Sequence, residues 1–296
     1  MQELTLVSII IPTFNNVPVI CQAIDCSLNQ SYENIEIIVV DDGSTDDTQQ
    51  FLHRKYRERI IYVHQENKGP GSARNTGIRH ASGKYLQFLD ADDLLDPNKI
   101  RIQMSRLQEI TGMALSYCDY VCCDINNSAV IHEKRHLSPV LQKKSPLDDI
   151  LKKWETQLSI PIHCLIFDAA FFKERGIAFD ESLQANEDWE CWMNIFAMDP
   201  KVDFVDQVLA YYRIGKDSRC TNRLKMRNSW LAAIDKQMQK SRANRDVVEK
   251  LAARKKEIKY MYRDAGPLAR LMGKCHPLVN KLYGKMVPWR IQRVFD

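Results

Sequence analysis

The chain has 296 residues, 45% of them hydrophobic, 27% charged and 9% aromatic, with 11 Gly and 11 Pro. This is enough to bury a sizeable core, and it excludes collagen-like and low-complexity architectures. A net charge of +4 conceals a split: residues 221–296 carry 19 Lys or Arg against 6 Asp or Glu, whereas residues 1–220 carry 23 against 32.

Residues 6–11 form a continuous apolar, β-branched run, the pattern of a strand buried on both faces. Residues 35–40, 60–63 and 85–89 read the same way. Helices are predicted between them at 17–28, 45–56 and 72–80, with another at 98–109 after the fourth strand. Strands alternating with helices argue for βαβ units and a parallel sheet, in which ligands bind beyond the carboxyl ends of the strands. The segments at those ends are Pro12-Thr13-Phe14-Asn15, Asp41-Asp42-Gly43-Ser44 and Asp90-Ala91-Asp92-Asp93. Each acidic segment alone reads equally well as a turn and helix cap. Five carboxylates gathered on one rim, however, call for a cation or a donor-rich ligand.

Further along, 113–123 reads as a strand, 126–145 as a polar surface loop, 160–167 as a strand and 168–174 as a helical turn. A helix is expected at 187–198 and short strands at 202–205 and 208–212; from about 222 the chain reads as helices. No internal repeat is visible. The organisation expected is an α/β unit over 1–220, divided into halves at 110, followed by a basic helical region over 221–296. Of nine Cys, Cys118, Cys122 and Cys123 cluster without the C-x-x-C spacing of a zinc site. The expectation is reduced, buried thiols, with Cys21, Cys26, Cys164 and Cys191 packing as small hydrophobes. No apolar run reaches the roughly 18 residues of a spanning helix, and the start lacks the basic region of a secretory signal. A cytoplasmic protein is expected.

Four segments in order resemble family 2 glycosyltransferases of GT-A fold: Val7 to Asn15, Val39 to Asp46, Asn67 to Asn75, and Gly83 to Asp93. The resemblance covers about residues 5–215 and is tightest over 5–110. It implies an α/β fold of GT-A type, a Rossmann-like, mostly parallel sheet flanked by helices, with a C-terminal helical extension. It also implies inverting transfer from a nucleotide sugar, a UDP-sugar first, to a glycan or lipid-linked acceptor. Pro12, Thr13 and Asn15 would border the nucleoside. Asp41 and chiefly Asp42 would meet the base, a carboxylate being able to accept from a ring N–H. Arg74 would shape the nucleotide pocket, an ordinary helix-start ion pair being the plainer reading. Asp90-Ala91-Asp92 matches the DXD motif: Asp92 is the first candidate ligand of a divalent cation (Mn²⁺ or Mg²⁺), Asp90 lies near the ribose or metal, and Asp93 supports them.

In such enzymes a base follows in an E-D-aromatic motif, matched here by Glu187-Asp188-Trp189. Asp188 is the expected base, with Glu187 and Trp189 either supporting it from behind or binding the acceptor. Acidic residues also stabilise a helix N-terminus by themselves. Gly215 stands where many relatives carry His, so Arg213, Lys216 and Arg219 are the candidate phosphate contacts.

Two other classes fit the sequence less well. A nucleotide-sugar pyrophosphorylase would open on a Gly-rich loop ending in Arg, which Pro12-Thr13-Phe14-Asn15 is not. A nucleic-acid-binding protein could use the basic C-terminal region, but no nucleic-acid module is visible and nucleic acid is not the partner expected. Leu268, Leu271, Cys275, Val279, Leu282, Met286 and Trp289 recur at helical spacing among basic residues. That pattern fits either packing on the α/β unit or peripheral contact of 266–296 with an anionic membrane surface.

Overall fold

The structure, a computed structural model, describes residues 4–126, 131–133, 140–142, 145–154, 159–214 and 223–262. Strands β1 (Val7–Thr13), β2 (Ile35–Asp41), β3 (Ile61–His64) and β4 (Tyr85–Phe88) alternate with helices α1 (Val17–Leu28), α2 (Thr48–Tyr56) and α3 (Pro70–His80). There follow β5 (Leu94–Leu95), α4 (Lys99–Leu107), β6 (Ala114–Asp124), β7 (Ile131–Glu133), α5 (Pro146–Lys153) and β8 (Leu165–Asp168). The described chain closes with α6 (Ala170–Lys173), α7 (Glu187–Phe196), β9 (Lys201–Ile214), α8 (Arg223–Lys240) and α9 (Arg245–Met261).

One sheet runs in the order β3-β2-β1-β4-β8-β6-β9-β5, with β7 paired to β6. β3, β2, β1 and β4 are mutually parallel, as are the long β6 and β9. β8 is antiparallel to both β4 and β6, and β5 to β9. Most of the paired backbone is therefore parallel, as the α/β pattern predicts.

The continuous apolar runs follow from burial on both faces. On β1, Ile9 and Ile11 pack with Ile20, Ile24 and Leu52 of α1 and α2, while Ile10 joins Ala73 and Ile78 of α3 on the opposite face. Gly77 lets α3 lie close to β1: a Cβ there would stand 2.3 Å from Ile10 Cγ2.

Several elements differ from the sequence expectation. Residues 202–205 and 208–212 belong to one strand, β9; Cys118 pairs with Val205 and Asp119 with Val208, so the exposed Asp206 and Gln207 form an irregularity within it. The 160–167 run is split, because Ile162–Cys164 is a 3₁₀ turn and only β8 is strand. Leu94–Leu95 is paired strand, where a capped helix was an option. Helix α2 begins at Thr48 because Ser44 and Thr45 spend their amides on the Asp41 and Asn15 side chains.

Helices α8 and α9 share the main core. Trp230, Ala233, Ile234, Leu251 and Ile258 are fully buried in one cluster with Trp189 and Trp192 of α7. Around that seam, Lys236 pairs with Asp180, Lys240 with Glu190, and Lys250 with Asp148. Cys118, Cys122, Cys123, Cys164 and Cys191 are buried and Cys21 and Cys26 half-buried, all seven as free thiols. Most of the 126–145 loop, Gly215, Lys216, Arg219 and the 266–296 stripe lie outside the described residues.

Candidate active site

In this sheet β2 and β3 lie on one side of β1 and β4 on the other. The chain thus reverses its direction of winding between β1 and β4, and such a switch point opens a crevice beyond the strand ends. Thr13 to Asn15 leave β1 there, Asp90 to Asp93 leave β4, and Asp41 and Asp42 end the neighbouring β2.

The β1 and β2 ends are stitched together. Asn15, in the left-handed region at φ +49°, donates its amide to Ser44 Oγ at 2.9 Å and accepts Thr45 N–H on Oδ1 at 2.7 Å. Gly43, at φ +78°, has no room for a Cβ, which would stand 2.7 Å from Asn67 N. Asp41 is fully buried and accepts from Ser44 N at 2.8 Å and Tyr62 Oη at 2.5 Å. Asp42 accepts from Gln65 Nε2 at 2.7 Å, Lys68 N at 2.9 Å and Gly69 N at 2.8 Å. A carboxylate has about four acceptor positions, so most of Asp42 is spent on shaping the 65–69 loop. Pro12 is half-buried, and Thr13 Oγ1 is buried with no hydrogen-bond partner among the described residues.

Arg74 joins the two acidic motifs. Its guanidinium is buried, donating through Nη2 to Asp90 Oδ1 and through Nη1 to Glu187 Oε1, each at 2.6 Å, and it lies over the Phe179 ring at 5.4 Å. Burial works against its charge, but Asp90 and Glu187 more than offset this and raise its pKa. Arg74 thus does form ion pairs at the start of α3, and both partners come from other elements, 16 and 113 residues away. Asn75, next in the chain, fixes the same seam by bonding Phe179 O at 2.8 Å and Phe179 N at 2.9 Å.

Asp92 projects at the rim with its side chain open to solvent. Partial desolvation, then the like charges of Asp93 and Asp90, push its carboxyl up to about 7, against a lowering by Arg213. An exposed carboxylate beside like charges is a donor suited to a hard cation. Among the described residues no group of three or more His, Cys, Asp or Glu forms a complete protein cage.

Arg213, expected as a phosphate contact, is buried under the same turn. Its Nε donates to Asp92 O, Nη1 to Gln22 Oε1 and Nη2 to Ala91 O. Two of these donors therefore hold main chain of the acidic motif, and the third holds the Gln22 side chain of α1.

Asp188 stands half-exposed on the first turn of α7 and accepts Trp189 N–H at 2.7 Å. Glu187 is buried against Arg74. Trp189 is fully buried, which fits the supporting alternative and not direct contact with an acceptor: Nε1 donates to Ile150 O at 3.0 Å, and the ring meets Trp230 edge-on at 5.0 Å. Its indole anchors α7 in the core. Sequence reasoning passed over His163 and Tyr62; a lone His inside the apolar Ile160–Phe167 stretch was the only signal for the former.

The model of glycosyl transferase family 2 matches residues 8–172, more than half of the chain. The chain belongs to glycosyl transferase family 2. An uncharacterized glycosyltransferase of Rickettsia prowazekii is 36% identical over 211 residues, covering 71% of this chain and 64% of its own length. This chain therefore spans less than two thirds of that relative. Chondroitin synthase of Escherichia coli is 36% identical over 119 residues, 40% of this chain and 17% of the synthase. Among solved structures, residues 1–349 of S. aureus TarS in complex with UDP-GlcNAc superpose with a TM-score of 0.63 at 18% identity, covering 97% of this chain and 83% of that fragment. A mannosyltransferase of Pyrobaculum calidifontis in complex with GDP-Man and Mn²⁺ gives 0.60 at 17% identity, with 99% and 87% covered. These likenesses identify the fold as that of GT-A proteins.

Proposed function

We propose that this family 2 member is an inverting glycosyltransferase that moves a sugar from a nucleotide-sugar donor to a hydroxyl of a glycan or lipid-linked acceptor. The observation that carries the reading is Arg74, whose guanidinium ties the Asp90 segment to the Glu187-Asp188 segment at the switch point. Donor carboxylates and a candidate base are thereby brought to one crevice.

In this reading Asp188 takes the proton from the acceptor hydroxyl as its oxygen bonds to the anomeric carbon. The bond from that carbon to the diphosphate breaks, and the nucleoside diphosphate leaves. Pro12, Thr13, Asn15, Asp41 and Asp42 line the nucleoside side. Asp92 and Asp90 are the residues that would hold Mn²⁺ or Mg²⁺, which supplies charge neutralisation to the leaving diphosphate. Glu187 keeps Arg74 in place beneath the base. Residues 1–110 serve the donor and 111–220 the acceptor, and α8 and α9 follow as a helical extension.

A UDP-sugar is the first donor to try, supported by the UDP-GlcNAc complex of TarS; the GDP-Man complex of the mannosyltransferase keeps GDP-sugars in the panel. The test is release of nucleotide from UDP-, GDP- and dTDP-sugars with Mn²⁺. Release with any one supports the activity. A preference confined to GDP or dTDP donors removes the uracil role of Asp42, and binding of none overturns the reading. Among the described residues no helix is long and apolar enough to cross a membrane. Peripheral attachment through 266–296 predicts salt-sensitive co-sedimentation with anionic vesicles, lost on truncation at 266.

A further inference from the structure

Asp93 shares the acidic segment of Asp92 but turns the opposite way. Its residue is 2% exposed, its Oδ1 accepts Arg213 N–H at 2.8 Å, and its Oδ2 lies 2.9 Å from Nδ1 of His163, itself fully buried. The His163 contact is close enough for an ion pair but lies outside hydrogen-bond alignment. A carboxylate taken out of water costs several kcal/mol unless it is well partnered. Asp93 therefore needs a reason to point inward when Asp92 beside it points out.

The reason lies in what the carboxylate connects. Asp93 follows β4, His163 sits on the 3₁₀ turn that enters β8, and Arg213 ends β9. The Arg213 side chain returns to the same turn through the carbonyls of Ala91 and Asp92. The His163 ring is held nearly parallel to Tyr212, at 12° and 6.2 Å between centroids, and its carbonyl accepts Gln87 Nε2 at 3.1 Å. Gln87 Oε1 in turn takes Lys99 Nζ, a fully buried amine. The turn presenting Asp92 is thus held from beneath by three separate parts of the sheet.

We propose that His163 is a positioning residue: with Arg213 it holds the Asp93 carboxylate inward and so fixes the direction in which Asp92 projects. This rests on the proposed donor role of Asp92 only for its consequence. The anchoring itself is a property of the apoprotein. Residues that orient ligating groups commonly change metal affinity or activity by about 10–100-fold when replaced, and a comparable effect is expected here. Asn keeps a polar nitrogen near the position of Nδ1, whereas Phe keeps a ring and removes the polar contact with Asp93.

The experiment uses the full chain as wild type, His163→Phe, His163→Asn and Asp93→Asn. Amide hydrogen exchange, read peptide by peptide, is expected to rise in 88–96 and 209–214 for His163→Phe and Asp93→Asn, with other core peptides unchanged, and to return toward wild type in His163→Asn. Mn²⁺ affinity in the presence of UDP, read from the free-Mn²⁺ electron paramagnetic resonance signal, should weaken at least tenfold in His163→Phe and recover in His163→Asn. Exchange unchanged in both local peptides overturns the anchoring. A rise spread over the whole core overturns it too, by making His163 a general stability residue. A local rise with unaltered Mn²⁺ and UDP affinity overturns the positioning of Asp92. If wild type binds neither Mn²⁺ nor UDP while the local exchange pattern holds, the donor reading fails and the anchoring stands.

Discussion

In the proposed function Asp188 and Asp92 have different tasks, and their surroundings differ. Asp188 stands half-exposed at the start of α7, one residue beyond a Glu187 that Arg74 immobilises. A base must reach a hydroxyl yet keep a fixed approach, and a helix start pinned from below gives both. Asp188→Asn preserves the shape but cannot take the proton. It should leave donor binding intact and cut transfer by about 100-fold or more, measured as kcat against nucleotide-sugar affinity. Normal turnover in Asp188→Asn, with Glu187→Gln dead, would assign the base to Glu187. Asp92 instead belongs to a rim where like charges crowd. Asp92→Ala should weaken donor affinity and abolish its response to Mn²⁺, read by calorimetry with and without chelator. Undiminished transfer by the wild type in excess chelator would move the phosphate charge onto Arg and Lys side chains.

At the scale of elements, the site depends on how closely α3 approaches β1, because Arg74 rides on α3. Gly77 sets that approach: a methyl there would meet Ile10 Cγ2 at 2.3 Å, in a fully buried, β-branched residue at the centre of the sheet. Gly77→Ala gains under about 1 kcal/mol of helix propensity but incurs overpacking of about 1–3 kcal/mol. A lower thermal midpoint is expected, together with weaker donor binding as Arg74 shifts. A raised midpoint would show that the seam has slack. The strands and the acidic ends were legible in the sequence because burial on both faces writes itself as continuous apolar runs. Motif spacing likewise revealed the chain order of Arg74, Asp90 and Glu187, though not that the Arg74 guanidinium joins the two carboxylates. Less was legible where pairing decides. β5 is two residues long and exists only because β9 lies beside it. Trp189 reads as part of a site motif, yet its indole faces a core completed by Trp230 of α8, 41 positions later. The inward turn of Asp93 depends on His163 and Arg213, which local periodicity cannot reach.

At the scale of the whole molecule, the contrast between an acidic 1–220 and a basic 221–296 has an internal use. Lys236, Lys240 and Lys250 on α8 and α9 meet Asp180, Glu190 and Asp148. Part of the positive charge that suggested a nucleic-acid partner is thus directed at the protein's own acidic surface. Glu190 is the most telling of these contacts. Its side chain is fully buried on α7, two residues after the candidate base, and it takes donors from Lys240, Gln237 and Asn194. Lys240 is half-exposed, so solvent screens its charge, but the carboxylate it meets is fully buried. Hydrogen bonds to charged groups contribute about 1.5–3 kcal/mol, whereas exposed ion pairs contribute about 1 kcal/mol or less. A double-mutant cycle on Lys240→Ala and Glu190→Ala, read by denaturant unfolding, should return a coupling of about 1–2 kcal/mol. Lys240→Ala should also lower transfer, because α7 carries both Glu190 and Asp188. A coupling near zero with transfer unchanged would mean that α8 is held by the apolar seam of Trp230 and Ile234 alone, leaving its lysines to serve an outside partner.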